Sequence, residues 1–150
     1  MIKQLPISLH GAAKGDVRTQ FAALPFRIKD DKVQVLLITS RGTGRWIVPK
    51  GWPMEGKTPA DSALQEAWEE AGVKGKPSQT CIGVYSYAKD LGQEDEMPCL
   101  AMLYPVRVKS LAKKYPERGE RRRVWMSRKK AAGRVAEPEL AQLIRGFDPR

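Results

Sequence analysis

The chain is expected to fold as α+β or mixed α/β, and three observations predict it. Short runs rich in β-branched and aromatic residues recur along the sequence, separated by Gly, Pro and charged clusters. One amphipathic stretch with a capped start and a glycine stop sits in the middle, and a second closes the sequence. No internal repeat or shift in composition marks a boundary, so residues 1–150 read as one domain, with about 1–18 as a loose arm holding Gly11 and Gly15.

Taken in order, Phe21 to Ile28 and Val33 to Ser40 read as two strands, and the polar KDDK between them makes a hairpin turn. RGTG from Arg41 to Gly44 is a second turn, and Arg45 to Pro49 a short strand stopped by its proline. A Gly/Pro loop, Lys50 to Lys57, leads to the central helix, after which a polar link runs to a strand over Thr80 to Ala88. Leu91 to Pro98 is expected to be an acidic loop. Cys99 to Val108 is a strand whose Pro105 predicts an edge or bulged position. Arg121 to Ser127 is a further short strand. Glu137 to Phe147 is a helix with Pro138 in its first turn and Gly146 as its stop.

The central helix is expected from Pro59 to Ala71. Thr58 is the N-cap, Pro59 the first helical residue, Asp61 a favourable charge in the first turn and Gly72 a left-handed C-cap. Ala60, Ala63, Leu64, Ala67 and Ala71 form the stripe that faces a sheet. Glu66, Glu69 and Glu70 fall together on an adjoining face, where like charges repel and the helix dipole disfavours them. A solvated acidic face beside lysines would account for the cluster. A hard divalent cation, held by carboxylates beside a Gly/Pro loop rich in free backbone groups, would account for it too.

Charge and composition set bounds. Lys and Arg number 27 against 17 acidic residues, a net charge of +10. That excess suits a polyanionic partner or a charged, soluble surface. Cys81 and Cys99 read as buried strand thiols rather than a metal or disulfide framework. The single histidine, His10, excludes a zinc site built on several imidazoles. No apolar run at the start is long enough for a signal peptide or a membrane span, so a cytoplasmic protein is expected.

The 23 residues from Gly51 to Val73, GWPMEGKTPADSALQEAWEEAGV, resemble the signature of the Nudix hydrolases, G-x5-E-x7-R-E-U-x-E-E-x-G-U with U apolar. Gly51, Glu66, Ala67, Glu69, Glu70, Gly72 and Val73 match it. Lys57 replaces the first Glu of the pattern and Gln65 its Arg. With the preceding RWIVPKG, the segment is most similar to the diphosphoinositol-polyphosphate and diadenosine-polyphosphate branch. The resemblance implies an α/β/α sandwich with a mixed sheet and a loop–helix–loop catalytic motif. It also implies hydrolysis of a phosphoanhydride with Mg²⁺, or Mn²⁺ in its place. Glu66, Glu69 and Glu70 are then the catalytic residues and, with the Gly51 carbonyl, the metal ligands. A general base is sought in the acidic loop at Glu94 to Glu96, or at Glu117 or Glu120.

Arg27, Arg41, Arg45 and Lys50 lie on or beside the strands that lead into the motif and are the candidate phosphate-binding residues. Trp46 and Trp52 flank the loop, Trp46 as a core residue and either as a base-stacking platform. Trp68 is expected against the carboxy-terminal tail. Tyr85 and Tyr87 share a strand face that packs or lines a pocket. The run Lys113 to Arg123 reads as a solvated basic loop, with nucleic acid as the other partner it would suit. The expected substrate is a polyphosphorylated small molecule, and no membrane is involved. The alternatives are a module that binds a nucleotide without turning it over, and an enzyme directed at RNA.

Overall fold

A computed structural model describes residues 18–92 and 95–150, with no side-chain description for Asp95. Expectations for the amino-terminal arm, His10 and Glu94 fall outside the described residues. Among the described residues, eight strands join one mixed sheet. Strands β1 (Thr19–Lys29) and β2 (Lys32–Thr39) form the expected hairpin, in register Phe26↔Val35. Its two-residue turn, Asp30 and Asp31, has φ of 52° and 60°, the left-handed pair that a tight hairpin needs and that Asp tolerates. The expected third strand shrinks to β3 (Trp46–Ile47). The following loop contributes β4 (Lys50–Gly51), which pairs antiparallel with Phe21 and Ala22 of β1.

Helix α1 (Pro59–Ala71) has the expected bounds and caps. Thr58 Oγ1 accepts from the Asp61 N–H at 3.1 Å, and Gly72 has φ 68°. β5 (Val73–Pro77) was expected as a polar link, but becomes a strand because β7 offers it a partner edge. β6 (Gly83–Gly92) and β7 (Asp95–Leu111) form a long hairpin, so most of the acidic segment is paired strand rather than loop. Then come β8 (Arg123–Ser127), α2 (Arg128–Arg134) and α3 (Pro138–Gly146). The short basic α2 has no strong sequence signal; two buried alanines, Ala131 and Ala132, hold it.

The central pair is β1 and β7, which run parallel from Thr19↔Leu100 to Phe26↔Arg107. Pro105 therefore sits in a central strand, not at an edge. The missing N–H costs little because the outer neighbour of β7 changes there. Ile82 N–H donates to Leu103 O and Ser78 N–H to Pro105 O, the junction between β6 and β5. One sheet face packs Phe21, Leu36, Ile38, Tyr104 and Val106 against Ala60, Ala63, Ala67 and Ala71 of α1. The other packs Leu24, Phe26, Leu37 and Leu103 against Leu140, Ile144 and Phe147 beside α2 and α3. The small α1 stripe lets that helix lie close to the sheet, which brings its glutamates level with β4. Cys99 is buried on β7 as expected, whereas Cys81 is half-buried ahead of β6. No described helix is long and apolar enough to cross a membrane.

Candidate active site

The close approach of β4 and α1 builds the site. A Cβ on residue 51 would stand 2.2 Å from the Glu66 carboxyl carbon, so a glycine is required for Glu66 to lie against this strand. Glu66 and Glu70, one turn apart, are hydrogen-bonded to each other. Burial pushes the Glu66 carboxyl far above the usual carboxylate range, and the hydrogen bond to Glu70 and its charge push the same way. Burial raises Glu70 as well, against the pull of the Glu66 hydrogen bond, Arg121 and Lys50.

Both carboxylates open into a cavity of about 720 Å³ with Gly51, Trp52 and Glu117 on its walls. The cations lining it are Arg41, Arg45, Lys50, Lys89 and Arg121; the other carboxylates are Asp90, Glu117 and Glu137. Lys50 is half-buried, and that burial lowers its ammonium to about 8, against the opposing charges of Glu70 and Glu137. Its Nζ lies 4.8 Å from the centre of the Tyr87 ring. The Tyr87 hydroxyl is hydrogen-bonded to Gln20 Oε1, which fixes the ring beneath the ammonium.

Behind the carboxylates runs a chain of ion pairs. Arg121 Nη2 lies 3.8 Å from Glu70 Oε1, its Nε donates to Glu117 Oε1 at 3.0 Å, and its Nη1 donates to Thr39 O at 3.2 Å. Arg41 continues the chain outward to Glu120 at 3.3 Å and Glu117 at 3.9 Å. The Arg121 side chain is only 10% exposed and that of Glu70 7%, so these charges are compensated in place rather than by water. The loop before β8 is also tied to α1 by the Glu117 N–H, which donates to Glu69 O at 2.9 Å.

The structure thus brings Glu66, Glu70, Gly51, Arg41, Arg45 and Lys50 to one cleft. It does not bring all the named residues there. Glu69 Oε1 accepts from Gln65 Nε2 at 3.3 Å, and Glu69 is not on the cavity wall. Arg27 lies outside the cleft: its guanidinium sits 4.3 Å from the centre of the Trp125 ring and its Nε donates to Gln34. Among the base candidates, Glu117 lines the cavity, Glu96 lines only an adjoining outer hollow, and Glu120 pairs with Arg41 at the surface. Trp52 is on the wall with Lys89 5.8 Å from its ring centre, and Trp46 packs half-buried on the core with Arg122 over it. Lys74 Nζ lies 5.5 Å from the centre of the Trp68 ring. Tyr87, expected to pack or to line a pocket, lines this one. Arg121 was not singled out for the site by sequence; it is about 50 positions from the helix it serves, in a run that looks solvated.

The residues present fit a hard cation. Two touching buried carboxylates keep a proton between them, and a divalent ion could take its place with the cavity supplying water. Among the described residues, however, no three Asp, Glu, His or Cys side chains converge as a complete ligand set. Any ion held here therefore draws its remaining ligands from backbone, water or substrate oxygens.

Known proteins share stretches of this sequence and its fold. An Arabidopsis thaliana protein, Nudix hydrolase 12, mitochondrial, is 33% identical over 104 residues, which cover 67% of this chain and 51% of that protein. Human diphosphoinositol polyphosphate phosphohydrolase 3-alpha is 39% identical over 69 residues, 46% of this chain and 42% of that one. The chain thus spans about half the length of these relatives. A crystal structure of a C. elegans Ap4A hydrolase binary complex shares the fold, with a TM-score of 0.63 at 18% identity, covering 86% of this chain and 93% of that one. The NUDIX domain matches residues 18–147, from the first described residue to the C-cap of the last helix, and the chain belongs to the Nudix family.

Proposed function

We propose that this protein hydrolyses a phosphoanhydride bond in a polyphosphorylated small molecule, with Mg²⁺ as its metal. The observation that carries the reading is the convergence of Glu66 and Glu70 against Gly51, opposite Arg45 and Lys50 in one cavity. Glu66, Glu70 and the Gly51 carbonyl are the proposed ligands, while Glu69 accepts from Gln65 and is off the cavity wall. When bound, the ion supplies a Lewis acid that neutralises phosphate charge and acidifies water. Arg45 and Lys50 hold phosphate oxygens, and Arg41 extends that grip towards solvent. Glu117 is the carboxylate placed to take the proton of the attacking water, since it alone of the described base candidates shares the inner cavity with Glu66 and Glu70.

Diphosphoinositol polyphosphates and dinucleoside polyphosphates are the favoured substrate classes. The names of the relatives support both. Trp52 and Tyr87 on the cavity wall offer a base platform to the second. A module that binds such a molecule without cleaving it is the competing reading, favoured by Lys57 and Gln65 in the motif and by the position of Glu69. Phosphate release from a panel of both classes, with and without Mg²⁺, decides between them. Metal-dependent turnover that collapses in Glu70→Gln supports the hydrolase; tight binding with no turnover of any member supports the module.

A further inference from the structure

The excess positive charge of the chain does not reside in the cleft, whose wall carries as many carboxylates as cations. It gathers elsewhere. At the β1–β2 turn, beside the start of α2 and the end of α3, lies a cavity of about 560 Å³. Lys32, Arg128, Lys129, Arg145 and Arg150 line it, with Asp31 as the one acidic side chain among the described residues on its wall. We infer that this hollow is a second anion site, which takes the phosphates of a small polyphosphorylated molecule independently of the catalytic cleft.

The site is partly built already. Arg128 Nη1 donates to Phe147 O, and Arg150 Nη1 donates to Asp31 O at 2.9 Å while its Nε pairs with Asp148 at 2.9 Å. Those bonds hold two guanidiniums in fixed positions. Lys32, Lys129 and Arg145 have no ion-pair partner among the described residues. Lys32, Lys129 and Arg145, left unpaired, repel one another, and a multiply charged anion relieves that repulsion. The volume suits a small ligand. No aromatic side chain among the described residues lines the hollow, which argues against a stacked single strand of nucleic acid. The cations also converge on one concavity rather than tracking along a groove. The hollow is remote from the cleft: Phe21, paired with Gly51, and Lys29, paired with Lys32, are eight positions apart on β1, a span of about 26 Å.

The test uses the full chain in EDTA, where a metal-assisted site is silent, with inorganic tripolyphosphate as the probe. Titration followed by amide NMR is expected to shift Lys32, Lys129 and Arg145 and to leave Gly51 and Glu66 in place. The double variant Lys129→Glu/Arg145→Glu, both residues exposed, is expected to weaken that binding at least about tenfold. Shifts confined to the cleft, no binding at all, or unchanged affinity in the double variant would each overturn the proposal. A short RNA that moves the same amides and displaces tripolyphosphate at lower concentration would also overturn it, and would assign the hollow to a strand.

Discussion

Arg121 bears most directly on how Glu70 can be buried. It meets Glu70, Glu117 and Thr39 O at once, so removing it takes from Glu70 its ion-pair partner and from Glu117 the nearer of two. Arg121→Gln is expected to lower stability by about 3 kcal/mol, the usual cost of breaking a buried pair from one side. It is expected to lower turnover by about 10- to 100-fold, as losses of groups that orient ligands do. Arg121→Lys keeps the charge but not the fork, so thermal melting should recover more than turnover does. At Gly51 the balance is reversed. A methyl group there meets only the mobile end of Glu66, so Gly51→Ala should fold with little change in melting temperature while losing most of its Mg²⁺-dependent turnover. Equal turnover in that variant would remove Glu66 from the site. These two residues also show what a sequence can and cannot reveal. Gly51 is legible because it opens a motif of fixed spacing with Glu66 and Glu70. Arg121 is not, because its role depends on a loop folding back over α1 from about 50 positions away. Arg27 misled for a related reason: it lies on the strand that reaches the site, but at the end away from β4.

At the scale of elements, legibility follows how locally each is determined. The bounds of α1 were readable because cap, first-turn proline, alanine stripe and C-cap glycine all lie within its own segment. β5 and β4 were not, since Val73–Pro77 and Lys50–Gly51 carry no strand pattern and are strands only because β7 and β1 offer them edges. Pro105 pointed to an edge, yet the neighbour change between β6 and β5 frees that position within the sheet. The two ends of α1 then differ in what they resist. Thr58→Ala removes one capping bond and should cost ~1 kcal/mol, read as a drop of about 2–4 °C in melting temperature. Gly72→Ala should cost more. Left-handed backbone alone is worth about 1–2 kcal/mol to a residue with a Cβ. The added Cβ would also stand 2.5 Å from the Tyr115 ring and 2.7 Å from Arg123 Nη1, the guanidinium that caps Ala71 O. A Gly72→Ala melt no lower than that of Thr58→Ala would contradict this ordering.

Over the whole molecule, the site is a cost that the rest of the fold absorbs. Two sheet faces covered by helices supply the burial, and the small α1 stripe lets the helix come close enough to press Glu66 and Glu70 together beside β4. Without a cation, that closeness works against folding: buried like carboxylates repel, and one must retain a proton. With a cation it works in favour, because an ion that binds only the folded chain stabilises it by mass action. The two effects make opposite predictions for one substitution. Glu70→Gln relieves the repulsion and leaves Arg121 paired with Glu117, so in EDTA the variant should melt no lower than the wild type. At Mg²⁺ about a hundredfold above its dissociation constant the wild type should gain ~2.7 kcal/mol, or roughly 5–10 °C, and the variant little of it. The melting curves should therefore change order between EDTA and Mg²⁺. A wild type that melts at the same temperature in both conditions would mean that the glutamate pair holds no ion.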